Sequence, residues 1–178
     1  MSEPAYSLDF AVTFRGLMLD VLARELKLTA RVLTSIPDER REYRPDPKSR
    51  SAWELAWHVA ADVWFLEGIA QLHFEPNPDQ RHENPHSSSK ALADWFDTRA
   101  GEALERVRAM PAEHLVKPVV LGGVAEQAGQ GFPAFLYLLW AETHMVHHRG
   151  QLATYLRPMG GRVPTIYGPS ADEPPKGL

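Results

Sequence analysis

Four long segments of this chain carry apolar residues at helical spacing, and proline-rich stretches separate them. The first runs from about Leu8 to Ser35, with Phe10, Phe14, Leu17, Val21 and Leu28 in helical register before Ile36-Pro37 ends it. The second starts at Ser51, where Glu54 three residues on makes a capping-box pattern. Trp53, Leu55, Val59, Phe65, Leu66 and Ile69 supply its apolar mass, and Glu75-Pro76 stops it. The third begins near Ser88 or Ser89 and passes through Leu92, Trp95, Phe96, Leu104 and Val107 to Met110-Pro111. The fourth opens with Pro133, a residue suited to the first helical turn, and closes before Pro158 and Gly160-Gly161. Helices with an apolar stripe must bury it against one another, so the pattern predicts an all-α four-helix bundle. The connections, roughly fourteen to twenty residues each, exceed what an up-and-down bundle needs and predict crossover connections.

The 178 residues fit one domain, with a core over about 8–158 and a tail over 159–178 that has no core of its own. Within that tail Val163, Ile166 and Tyr167 are placed to pack on the bundle. The segment from Val116 to Gly123 has the composition of a short strand, although a lone strand needs a partner. A hydrophobic content of 44% with 24% charged residues is that of an ordinary globular protein. The net charge of −4 gives no electrostatic footprint for nucleic acid. No apolar run approaches the ~20 residues of a membrane span, and Met1 to Tyr6 lacks the character of a signal segment, so the expected location is the cytoplasm. Cysteine is absent, which removes disulfides, thiolate nucleophiles and cysteine-held metals. Any metal must be held by nitrogen and oxygen, and any sulfur chemistry must use a thiol brought by a co-substrate.

The fourth segment contains His144-Met145-Val146-His147-His148-Arg149-Gly150-Gln151. Residues four apart on a helix share a face, so His144 and His148 aim two imidazoles at one point. A third ligand is supplied by His58, which lies on the second segment's stripe of Leu55, His58, Asp62, Phe65 and Ile69. An imidazole on a core face costs free energy unless it is hydrogen-bonded or ligated. A satisfied core histidine explains His58 alone; histidines on the core faces of two helices are better explained together as a three-imidazole cluster. Three histidines leave a coordination position open, the pattern of a catalytic rather than a structural metal site. His147 is the rival to His148, but it lies roughly 100° round the helix from its neighbour and reads as surface.

Other residues have weaker assignments. Asp62 is either an acceptor behind a ligand, a carboxylate ligand, or a helix-surface acid. Arg149 turns off the fourth segment's stripe of Tyr137, Trp140, His144, His148, Gln151 and Tyr155 and is expected to pair with an acid or fix the C-terminal segment. Gln151 is expected to support a ligand histidine or touch substrate. Trp57, Trp140 and Tyr155 read as core, and His73, His82, His86 and His114 as surface. No His-Glu-x-x-His or paired Glu-x-x-His pattern points to a zincin or a di-metal carboxylate bundle.

Together these residues resemble the DinB-like superfamily, also called YfiT-like, over most of the chain. The segment Pro37-Asp38-Glu39-Arg40 with Tyr43-Arg44-Pro45, the histidine segment Ser51 to Ala60, and the run His144 to Gln151 carry the resemblance. So do Leu156-Arg157 through Gly160, Val163-Pro164 and Tyr167-Gly168. The resemblance implies a four-helix bundle with an unusual crossover order, often a homodimer. It also implies a divalent metal, commonly zinc or nickel, on a triad that falls here on His58, His144 and His148. Characterised relatives include thiol-dependent S-transferases and a mycothiol-dependent maleylpyruvate isomerase. The leading expectation is therefore a metal-dependent enzyme joining a low-molecular-weight thiol to a small electrophile. The alternatives are a metal-dependent hydrolase using activated water and a non-catalytic, stress-associated metal-binding bundle.

Overall fold

The computed structural model describes residues 6–75, 83–121 and 131–175. It contains α1 (Leu8–Thr34), α2 (Ala52–Ala61), α3 (Val63–Gln71), α4 (Ser89–Ala109) and α5 (Ala134–Leu156), with two short strands, β1 (His73–Phe74) and β2 (Val120–Leu121). Helix starts follow local chemistry. Ser7 caps α1 by accepting from the Phe10 amide at 3.2 Å, and Ser88 caps α4 through Ala91 at 3.1 Å. The capping box expected at Ser51 is complete: Ser51 Oγ accepts from the Glu54 amide at 3.2 Å, and Glu54 Oε2 accepts from the Ser51 amide at 2.7 Å. Pro133 provides no side-chain cap for α5. Instead the first-turn amides of Ala134 and Phe135 donate to the Lys117 and Leu115 carbonyls at 2.9 and 3.1 Å.

α1 packs against α4 and α5, and α2 with α3 occupies the opposite corner between those two helices. The links from α1 to α2 and from α4 to α5 thus run diagonally, which is why they are long. One hydrophobic core draws on all five helices, with Leu22, Leu33, Leu66, Ile69, Leu92, Phe96, Leu138 and Leu152 almost fully enclosed.

The second segment differs from its sequence reading in two ways. It is not one helix: α2 and α3 meet at Asp62, where the ladder tightens, with Asp62 N–H reaching the Val59 carbonyl and Phe65 N–H reaching the Asp62 carbonyl. It also ends earlier, at Gln71, because Leu72 adopts a left-handed conformation with φ 56°. The chain then turns into β1, which pairs in parallel with β2, His73 opposite Val120 and Phe74 opposite Leu121. That pairing supplies the partner a strand near Val116–Gly123 requires; Gly122 and Gly123 lie outside the described residues. Gly68 is what lets Phe74 in: a Cβ there would stand 2.0 Å from the Phe74 ring.

The tail is fixed to the bundle through Arg149. This guanidinium, 1% exposed, bonds the Glu25 carboxylate at 2.7 Å, the Glu25 carbonyl at 3.1 Å, Thr29 Oγ1 at 3.3 Å and the Tyr167 hydroxyl at 2.7 Å. Tyr167 in turn donates to Glu25 Oε2 at 2.7 Å. Both expectations for Arg149 therefore hold, since it pairs with an acid and it fixes the C-terminal segment. Val163 and Ile166 pack on the core beside it.

Candidate metal centre

His58 projects from the last turn of α2 toward α5, where His144 and His148 stand one turn apart. The ring centroids of His58 lie 5.2 Å from His144 and 4.2 Å from His148, and those of His144 and His148 are 4.4 Å apart. One ligand nitrogen from each falls within 4.8 Å of the others. A tetrahedral ion bound at about 2.0–2.1 Å per nitrogen sets those nitrogens about 3.3 Å apart, a distance small ring rotations can reach. The cluster is half-buried, walled by Phe65, whose ring centroid is 5.4 Å from His144 and 5.5 Å from Trp140.

Two of the imidazoles are held from behind. His144 Nδ1 lies 2.9 Å from Asp62 Oδ2, and the Asp62 side chain is 5% exposed. His148 Nδ1 lies 2.8 Å from Gln151 Oε1. Each contact suits a ring proton on Nδ1 and makes Nε2 the nitrogen suited to a metal ion, the usual arrangement behind metal-binding histidines. The other end of the Gln151 amide donates to His147 Nε2 at 3.0 Å. His147 itself is exposed and outside the triad, as its helical offset requires. Asp62 is thus placed as an acceptor behind a histidine of the cluster rather than as a surface acid, and Gln151 supports His148.

Burial pushes the His148 pKa down to about 4, helped by the fields of His58, His144 and His147 and opposed by the Gln151 bond. The ring is neutral at pH 7 and can bind a cation without first losing a proton. The sign of the linkage follows. Because the folded-state value lies below the ordinary 6.5, unfolded chains bind more protons between those values. His148 therefore stabilises the metal-free fold fully above about pH 6.5, and that contribution is lost as pH falls toward 4. Thermal melts of metal-free protein should show a steeper fall across this window than melts of His148→Gln. Parallel curves would refute the assignment.

A cleft of about 490 Å³ opens beside His148, bounded by Ser49, Arg50 and Leu55 on one side and Gln151, Thr154 and Tyr155 on the other. Arg50 and Ser49 precede the capped start of α2 and carry no signal that marks them in the sequence. Glu25 was also unmarked, although its helical spacing from Leu22 and Thr29 on the buried side of α1 would have found it.

Two other residues, Trp140 and His86, are placed differently from their sequence readings. Trp57 is core, but Trp140 is 52% exposed and borders an apolar groove with Phe132, Leu136 and Tyr137. Tyr155 packs against the core, as expected, and its half-buried side chain also lines the cleft. His86 is not a surface side chain: its ring sits against Trp57 and Trp95, burial lowers its pKa, and its Nε2 is enclosed with no hydrogen-bond partner among the described residues. His82 lies outside the described residues.

The family model of the DinB family matches residues 1–176. The chain belongs to the DinB family. Its similarity to the uncharacterized protein YrdA of Bacillus subtilis (strain 168) is 25% identity over 149 residues, covering 84% of this chain and 85% of that protein. A DinB-like protein from Bacillus cereus ATCC 10987 superposes with a TM-score of 0.68 at 23% identity, over 84% of this chain and 95% of the other. The DinB-like protein YjoA from Bacillus subtilis gives 0.66 at 20% identity, over 85% and 99%. These two structures establish the fold shared with this DinB-family chain. The histidine cluster gives this chain a donor set that can hold a metal ion. Among the described residues, no helix is long and apolar enough to cross a membrane.

Proposed function

We propose that this DinB-family chain is a metal-dependent transferase that joins a low-molecular-weight thiol to a small electrophile. His58, His144 and His148 would hold the ion, zinc or nickel. The observation that carries the reading is the convergence of three imidazoles from two helices, two of them held at Nδ1 by Asp62 and Gln151. Three nitrogen ligands suit a divalent cation and leave room for a small molecule on it. When bound, the cation would supply Lewis acidity, which favours a sulfur ligand as thiolate at neutral pH.

The protein's own groups then have distinct tasks. Asp62 keeps His144 in one tautomer and offsets the positive charge gathered at the cluster. Gln151 does the first of these for His148 without adding charge. Phe65 and the exposed Trp140 form an apolar wall that limits water on one side, which suits an apolar electrophile. Since the chain has no cysteine, the sulfur must enter as co-substrate.

The test is conjugation of 2-mercaptoethanol or cysteine to 1-chloro-2,4-dinitrobenzene by protein purified without an affinity tag. Turnover should require the thiol, disappear after chelation and return with zinc or nickel. Transfer that is unaffected by chelation would overturn the reading, and ester or amide turnover without thiol would move it to hydrolysis.

A further inference from the structure

We propose that the apolar groove beside Trp140 seats the hydrocarbon part of the electrophile, so that the substrates carry an alkyl chain or an aromatic ring. The inference deepens the function proposed above and rests on it only for the reaction at the other end of that molecule. Phe132, Leu136, Tyr137, Leu139, Trp140 and Thr143 line the groove, which encloses about 390 Å³. That volume lies within the roughly 300–1,000 Å³ of small-molecule sites. The lining contains no charged side chain. Its Thr143 hydroxyl is turned back onto the helix, donating to the Leu139 and Trp140 carbonyls at 3.0 and 3.2 Å.

Ring contacts join this groove to the histidine cluster without a break. Centroids step from Phe132 to Tyr137 at 6.1 Å, on to Trp140 at 6.0 Å, to Phe65 at 5.5 Å and to His144 at 5.4 Å. α5 also sets the order. The groove residues from Leu136 to Thr143 precede His144, whereas Gly150, Gln151, Thr154 and Tyr155 of the cleft follow His148. The two openings therefore flank the triad along one helix. The cleft, with Ser49, Gln151 and Thr154 in its lining, suits a hydrophilic thiol, and the groove suits an apolar group. From Leu136 to Thr143 the helix rises about 10 Å, the reach of a ring or a short chain. The six residues of the lining are far fewer than the about 20–30 that a stable protein interface takes from each side. Phe132, Leu139 and Trp140 remain exposed, and contiguous apolar surface of this kind marks a binding groove.

Two probe series of matched chain length test the proposal. 1-Alkanols are titrated calorimetrically into the metal-stripped full chain, and 1,2-epoxyalkanes are given with 2-mercaptoethanol to the zinc-loaded chain. In the second series the sulfur bonds to the terminal epoxide carbon, the C–O bond breaks, and the ring oxygen takes the thiol proton. Alkanol affinity, and kcat/KM for the epoxides, should rise about three- to fourfold per added methylene until the groove is full. Leu139→Ser and Trp140→Ala should each lower affinity for the longest alkanol by about tenfold, with helical circular dichroism and zinc content intact. Leu17→Ser, which alters an exposed apolar residue of α1 outside the groove, should change neither series. Alkanol affinity that does not depend on chain length, or a rise that survives both groove variants, would overturn the proposal. So would a dimer that Leu139→Ser dissociates, since a second copy would then cover the groove. Groove-dependent alkanol binding without epoxide turnover counts against the transferase alone, whereas turnover indifferent to chain length counts against the groove.

Discussion

His58→Ala is expected to abolish stoichiometric metal binding while leaving the bundle folded. The wild-type protein, purified without a tag, should carry about one divalent ion per chain by elemental analysis, as one three-histidine site implies. Affinity should fall by more than about 100-fold in the variant, beyond the 10–100-fold that changes behind the ligands cause. The reason is geometric. His144 and His148 come from one helix and fix two nitrogens on one side of the ion, whereas His58 is the sole ligand candidate in the triad from the facing helix. Its ring is half-buried rather than embedded, so truncation opens the site without excavating the core. His147→Ala is the control, because its ring contacts Gln151 and stands outside the triad. An unchanged metal content in His58→Ala, with helical circular dichroism intact, would refute the triad.

Arg149→Met should produce the largest loss of stability. The substitution keeps the volume of the stem but leaves the Glu25 carboxylate, 2% exposed at its side chain, without its buried cation. Removing one partner of such a pair costs about 3–5 kcal/mol, which lowers the melting temperature of a chain this size by roughly 10 °C. Arg24, 3.5 Å from the other Glu25 oxygen and 70% exposed, is a poor substitute. The double variant Glu25→Leu with Arg149→Met should recover a large part of the loss, because it removes the stranded charge as well as the pair. A single variant within about 1 kcal/mol of wild type, the range of exposed pairs, would show that the contact carries little.

The sequence revealed the parts of the molecule that depend on short-range order. The ends of α1, α4 and α5 follow from periodicity and from Ser88, Pro133 and Gly160, the last at φ 84° just beyond α5. The histidine cluster was legible for the same reason, since two of its members are four residues apart and the third interrupts an apolar stripe. The break at Asp62 was not, because α2 and α3 are both so apolar that a one-residue change of ladder leaves the pattern intact. The strand pair was half visible: the segment around Val120 showed strand character, but its partner is two residues that continue a helical run. Arg50 and Ser49 become site residues only when the diagonal link brings the start of α2 beside the end of α5, a long-range fact that no local pattern encodes. Trp140 misled because its spacing matched the core stripe, yet α5 turns it outward at the rim.

The diagonal crossovers also dictate an order of events in folding. His144 and its acceptor Asp62 are 82 positions apart, so the centre exists only after chain segments distant in sequence have met. Closing such a loop is slow relative to forming a helix. Until then a metal ion would meet histidines close in sequence, such as His144, His147 and His148, without the His58 that the folded chain brings to them. An ion held by the triad would thus be a latecomer, selected by a finished fold rather than a nucleus for it. Refolding in the presence of metal should trap non-native species that refolding first, and metal second, avoids.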